Sequence, residues 1–163
     1  MANQIQVFNA TIAFFDSESE DVKSAAAFAV GMFSSLFVMF IFKWYSGSIA
    51  IGDMDIFLSP ILKMTEKGDG KKLLALHALK EVVLSLLSNN VLWLWSKCQV
   101  VTNASSVLLE TVADRLWNPL FENSAGSEEA SRNVAASCLG KLTTLKPAVY
   151  LPRLQVIHKI TTW

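Results

Sequence analysis

Cysteine is scarce in this chain. Cys98 and Cys138 are the only two in 163 residues. They are too few and too far apart for a disulfide framework or a zinc knuckle, and they read as reduced, buried thiols. Histidine is equally sparse, with His77 and His158 alone. The seven glycines form no phosphate-cradling loop. An excess of either charge is also missing: 14 basic residues balance 14 acidic ones, which argues against a nucleic-acid binder relying on a basic surface. The opening MANQIQVF lacks the basic stretch and apolar core of a secretory signal. No nucleophile–base pair or metal cluster has a recognisable spacing. No catalytic residue, cofactor, metal or small-molecule substrate is therefore assigned. Glu128-Glu129 reads as charge at a helix start, where the dipole favours it, and not as an acid/base couple.

What the chain has in quantity is hydrophobicity, 52% of residues with a mean hydropathy of +0.39, and the excess is local. No charge falls between Lys23 and Lys43, a run close to the length of a membrane span. Trp44 and Tyr45 follow it like an interfacial belt. A single-pass anchor at about 25–45 is thus one reading. Gly31 and Ser34-Ser35 dilute the run, however, and its first half belongs to a repeated helix pattern.

That pattern organises the chain. EEASRNVAASCLGKL (Glu128 to Leu142) has earlier copies in EDVKSAAAFAVG (Glu20 to Gly31) and GKKLLALHALKEV (Gly70 to Val82). Lys23, Lys72 and Arg132 coincide, and Ala26, Ala75 and Ala135 follow three residues later. Fixed self-similarity of helices marks a stack of helical units. The spacing predicts buried faces of Ala25, Ala26, Ala29 and Val30 in the first copy, and of Leu74, Ala75, Ala78, Leu79 and Val82 in the middle one. Val134, Ala135, Cys138, Leu139 and Leu142 form the last. A further stripe is Leu108, Leu109, Val112, Ala113 and Leu116. Asp16 to Asp21 (DSESED) supplies caps and negative charge for the helix after it. The repeated Lys23, Lys72 and Arg132 are expected to pair with acids of the adjacent unit.

Proline marks the other half of each unit. Pro60, Pro119 and Pro152 lie in helices that precede turns and are expected to kink them. A kinked helix, a turn and a straight helix make a HEAT-type unit. Pro60 stands 15 residues before Ala75 and Pro119 stands 16 before Ala135, so the spacing within a unit is steady. Between units it is not. Ala135 to Pro152 is 17 residues, Ala26 to Pro60 is 34 and Ala75 to Pro119 is 44. The surplus falls where the chain is most apolar. The expectation is an all-α, right-handed solenoid of about three partial repeats. Its repeat-like parts are 5–31, 48–83 and 105–155, interrupted by apolar insertions at about 32–47 and 84–104 and followed by an unrelated tail at 156–163. Repeats without caps leave apolar faces at both ends.

In a solenoid the second helices line the concave surface, where partners commonly bind. The polar residues opposite the buried stripes are His77, Lys80 and Glu81 in the middle copy and Asn133, Ser137 and Lys141 in the last. These six are the candidate partner-binding residues.

FFDSESEDVKSAAAFAVG, SIAIGDMDIFLSPIL, LLALHALKEVV, VADRLWNPLFEN and EEASRNVAASCLGKLT with YLPRLQ together resemble the cullin-associated neddylation-dissociated proteins, over about two-thirds of the chain. Importin-type HEAT transport receptors are the natural confusion. The resemblance implies a non-enzymatic scaffold, cytoplasmic or nuclear. Such a scaffold binds an unneddylated cullin with its RING partner and exchanges substrate receptors on cullin–RING (SCF) ubiquitin ligases. This chain matches a small piece of that superhelix. Segments 32–47, 84–104 and 156–163 break the matching blocks and read as translated intron or a gene-model error.

Overall fold

The acidic stretch before the first repeated helix does what its composition predicts. Ser19 starts that helix: its carbonyl accepts from the Lys23 amide at 3.0 Å, and its hydroxyl lies 3.5 Å from the amide of Val22. The structure is a computed structural model. It describes residues 2–44, 51–66, 70–87 and 102–161, with the backbone alone for 2, 35–44, 51–54, 86, 102–109 and 156–161. Every regular element among them is helical. α1 (Ala2–Ala13) runs into a 3-10 turn (Phe14–Asp16) and is followed by α2 (Glu20–Trp44), α3 (Ile51–Met64), α4 (Lys72–Leu87), α5 (Thr102–Ser124), α6 (Glu129–Leu145) and α7 (Pro147–Thr161).

These helices form two layers. α1, α3 and α5 each pack on the helix that follows them, giving three hairpin units, and α7 opens a fourth. The second helices stand side by side in the order α2, α4, α6 and make the tightest contacts in the molecule together with the α5–α6 pair. The all-α repeat architecture expected from the sequence is therefore present.

Small residues allow the second helices to approach. A Cβ added at Gly31 would lie 2.5 Å from the carbonyl oxygen of Ala78 and 2.6 Å from the Cβ of Glu81, so α2 and α4 touch backbone to backbone there. α4, packed on both sides, buries Ala75, Leu76, Ala78, Leu79, Val82 and Val83 completely or nearly so. Its predicted stripe holds, with Leu74 half-buried at the edge. The stripe of α6 holds too: Ala135, Cys138, Leu139 and Leu142 are buried and Val134 is half-buried. Val112, Ala113 and Leu116 of α5 are buried as expected, while the side chains of Leu108 and Leu109 lie outside the described residues.

α2 corrects the prediction. Ala25 and Ala29 are exposed, and the buried face is Ala26, Ala27, Val30, Gly31 and Ser34. The close approach at Gly31 sets the rotation of the helix, turning Ala25 and Ala29 outward. α2 also runs unbroken to Trp44, so most of the segment read as an insertion at 32–47 prolongs this helix. Of the segment at 84–104, α4 takes the first residues and α5 the last; 88–101, with Cys98, lies outside the described residues.

The first helices meet mainly through long side chains. Phe8 of α1 sits edge-on to Phe57 of α3 with ring centroids 5.0 Å apart and an interplanar angle of 89°, and Phe33 of α2 closes the cluster. Asp55 of α3 pairs with Arg115 of α5. Asp114 of α5 pairs with Arg153 of α7 at 2.9 Å. Trp117 stacks on Tyr150 at 4.7 Å. Helices α3, α5 and α7 all continue through their prolines. Asn123, buried near the end of α5, donates to the carbonyl of Pro119 at 2.7 Å and to that of Thr65 in the preceding unit at 3.2 Å.

The repeated cations are a second correction. Lys23 pairs with Glu20 of its own helix at 2.7 Å. Arg132 donates to the carbonyls of Gly126 and Ser127, in the turn just before its helix. Among the described residues neither bonds an acid of another unit, because acceptors of the helix's own entry are within reach. Lys72 does reach the next unit, its Nζ lying beside Gly126. The ion pair between the first two units comes from Lys71 and Asp16, at 2.7 Å.

Two glycines give a test of opposite sign. Gly→Ala in a helix interior normally stabilises by about 1 kcal/mol. Gly140 has open space around it, and Gly140→Ala is expected to raise the urea midpoint accordingly. Gly31→Ala must push the α2 and α4 backbones apart and is expected to cost about 1–3 kcal/mol. A Gly31→Ala variant as stable as the parent would show that α2 and α4 do not meet in this way.

Candidate partner-binding face

A row of units that is tight in one layer and held apart by long side chains in the other bends toward the tight layer. The second helices therefore lie on the inner side. Each presents the position two residues after the shared alanine: Phe28 on α2, His77 on α4 and Ser137 on α6, all exposed.

The six residues expected from the sequence lie on α4 and α6, the second helices of this layer. His77, Asn133 and Ser137 are exposed, and Lys80, Glu81 and Lys141 are half-buried. The charges of Lys80, Lys141 and Glu81 all act on the thiol of Cys138, and the Cβ of Glu81 lies against Gly31 of α2. His77 stands beside Lys80 and Glu81. Burial and then the charge of Lys80 push its pKa below the ordinary 6.5, with Glu81 opposing, so it is neutral at pH 7. Asn133 lies one turn before Ser137 on α6.

Sequence reasoning missed part of the face. A cavity of about 210 Å³ opens between α2 and α4, lined by Ser24, Ala27, Phe28, Leu74, His77 and Glu81. Phe28 is 55% exposed at its edge. The signal was there: the register that aligns Ala26 with Ala75 also aligns Phe28 with His77. A second cavity, about 410 Å³, lies between α3 and α5 beside Lys63, Glu66, Arg115 and Glu122. Its charged and polar walls serve the fold, as Arg115 holds Asp55 and Asn123 holds Thr65.

Burial pushes the Cys138 thiol from an ordinary 9.0 up to about 11 against the pull of Lys80 and Lys141. It is protonated at neutral pH and a poor nucleophile. Among the described residues, no three of histidine, cysteine, aspartate and glutamate gather to hold a metal ion. No described helix is long and apolar enough to cross a membrane.

Known proteins fit this picture. Over 154 residues, 94% of its length, the chain is 35% identical to cullin-associated NEDD8-dissociated protein 1 of Drosophila melanogaster. It is 30% identical to the Arabidopsis thaliana protein of that name over 142 residues, 87% of the chain. The chain belongs to this family. The mouse cullin-associated NEDD8-dissociated protein 2 is a further relative, 28% identical over 84% of the chain. The chain spans 10%, 9% and 8% of these three relatives' lengths respectively. No family model matches the chain, and no solved structure does.

The buried protons set an alkaline limit. Tyr150 is held up from 10.0 to about 12, first by burial and then by the charge of Asp114 and a 3.3 Å hydrogen bond to it. For Cys138 and Tyr150 alike, the unfolded chain ionises at lower pH than the folded one. Stability is thus fully present below about pH 9 and falls as pH rises toward 12, by about 1.4 kcal/mol per pH unit for each group in its own window. Urea midpoints from pH 7 to 11.5 are expected to show this fall, and Tyr150→Phe is expected to flatten its upper part. A Tyr150→Phe profile parallel to the parent's would refute the assignment to Tyr150.

Proposed function

We propose that this chain is a non-enzymatic stretch of scaffold whose second-helix layer faces a cullin–RING complex. The observation that carries this is the pairing of family membership with a repeat row presenting its polar residues on one inner side. The relatives are named for association with cullins. A scaffold acts through shape and charge, and two features of the face support this reading. A cleft lies between α2 and α4, and charged side chains on α4 and α6 stand at the solvent boundary. The finer reading is an exchange factor that binds the unneddylated cullin and promotes replacement of substrate receptors, in the cytoplasm or nucleus. His77, Lys80, Glu81, Asn133, Ser137 and Lys141 are its candidate contacts.

Capture of purified cullin–RING complex on the immobilised chain tests this. The unneddylated form is expected to be retained and the neddylated form to be retained less. Single alanine substitutions at the six positions are expected to weaken capture, by tenfold or more at one or two of them, since a few residues carry most of an interface's energy. No capture of either form would end the cullin reading. Full capture by all six variants would move the contact elsewhere.

We further infer that 32–47, 84–104 and 156–163 interrupt the ancestral repeat and derive from translated intron or a gene-model error. The uneven distances between units support this: 34 and 44 residues where the last junction has 17. Sequencing the transcript is expected to show a spliced form lacking these codons. A mature message that carries 32–47 throughout would overturn the inference.

A further inference from the structure

We propose that the cleft between α2 and α4 receives an arginine side chain of a protein partner, with its guanidinium on the Glu81 carboxylate and against the Phe28 ring. The proposal rests on reading the second-helix layer as the partner-facing side, and it names the chemistry of one contact there.

The cleft is built from two facing pairs. Ser24 and Phe28 stand four residues apart on α2 and share a side of it; His77 and Glu81 do the same on α4. Ala27 and Leu74 complete the lining. The contact between the helices fixes where Glu81 begins. Its Cβ lies 2.6 Å from the place of a Cβ on Gly31, and Gly31 is three residues after Phe28. The carboxylate and the ring therefore belong to the same stretch of the seam.

Charge selects the occupant. Glu81 supplies the only charge in the lining and enters none of the ion pairs among the described residues. Lys80 does not line the cleft, since consecutive residues of a helix do not face the same way. Burial, and then the charge of Lys80, keep His77 neutral, so its imidazole adds no repulsion and offers one nitrogen as an acceptor. The Ser24 hydroxyl is a further acceptor. A guanidinium has five N–H donors and no acceptor, which matches this lining.

The aromatic wall selects arginine over lysine. Phe28 is exposed, as are its counterparts His77 and Ser137 in the other two units, so its ring is open to a ligand. A planar guanidinium stacks on an aromatic ring while its edge bonds a carboxylate. The same combination occurs within this molecule. Arg153 pairs with Asp114 at 2.9 Å while lying 5.9 Å from the ring centroid of Trp117 and 5.3 Å from that of Tyr150. Size agrees: small-molecule sites usually enclose about 300–1,000 Å³, and a cleft of about 210 Å³ suits one long side chain. Ala27 and Leu74 offer apolar surface for its methylene stem.

Fluorescence anisotropy on the whole chain tests this with three labelled helical peptides of one alanine-rich sequence. They have arginine, lysine or citrulline at the same positions; citrulline keeps the shape of arginine without its charge. The arginine peptide is expected to bind, more weakly as salt rises. The lysine peptide is expected to bind several-fold more weakly, and the citrulline peptide about tenfold or more. Glu81→Gln, and Phe28→Leu, which keeps an apolar side chain but removes the ring, are each expected to weaken arginine-peptide binding about tenfold with circular dichroism unchanged. Glu18→Gln, in the acidic stretch before α2, is expected to leave it unaltered. Equal binding of the citrulline peptide would overturn the proposal, as would unaltered affinity in Glu81→Gln. A loss in Glu18→Gln as large as in Glu81→Gln would overturn it by reducing the binding to general attraction between charges. Self-association abolished by Glu81→Gln would overturn it by giving the cleft to a second copy of the chain. Arginine-peptide binding without cullin capture would keep the cleft and discard the cullin; cullin capture without arginine-peptide binding would do the reverse.

Discussion

The close approach of α2 to α4 is the constraint on which the remaining structure depends. It is possible because Gly31 meets the backbone of α4 with no side chain between them. α4 continues the arrangement toward α6, and Ala75, Ala78, Leu79, Ala135 and Cys138 all lie in one buried core. Once three helices stand this close, the first helix of each unit can only lie on the other side. Each buried leucine or valine in the row contributes about 1.5–3 kcal/mol. An exposed ion pair of the first-helix layer contributes about 0.2–1 kcal/mol. The second-helix layer therefore holds the stack together, and the first-helix layer adjusts to it.

Much of this was legible in the sequence because the repeat carried it. The alignment of Ala26, Ala75 and Ala135 identified the three second helices, and the prolines identified their partners. The stripes of α4 and α6 followed from helical periodicity. In α2 periodicity failed because the alanines surround the helix: with small residues on most sides, apolar pattern alone cannot choose a face, and the decision belongs to Gly31. The repeated cations misled for a related reason. Recurrence at Lys23, Lys72 and Arg132 shows a shared role, but not whether the acceptor is the helix's own entry or a neighbour. In two of the three, the acceptor is local.

The candidate face was legible in its polar half only. His77, Ser137 and Lys141 could be read as the side opposite a buried stripe. Phe28 was missed, since an apolar residue in an apolar helix draws notice only when the register that aligns it with His77 is followed. What joins the two halves is the cleft, which lies between α2 and α4 near their contact at Gly31.

The two layers also differ in stiffness. A wall of alanine and glycine backbone contacts resists compression steeply, because repulsion between atoms already in van der Waals contact rises within a few tenths of an ångström. The Asp55–Arg115 and Asp114–Arg153 links are long side chains at the water boundary, and they can lengthen, re-form or exchange partners at little cost. The row behaves as a strip hinged along its inner edge with a compliant outer edge. Its curvature can open or close to follow a partner's contour while the spacing of the inner helices, and so of the groups they display, stays fixed.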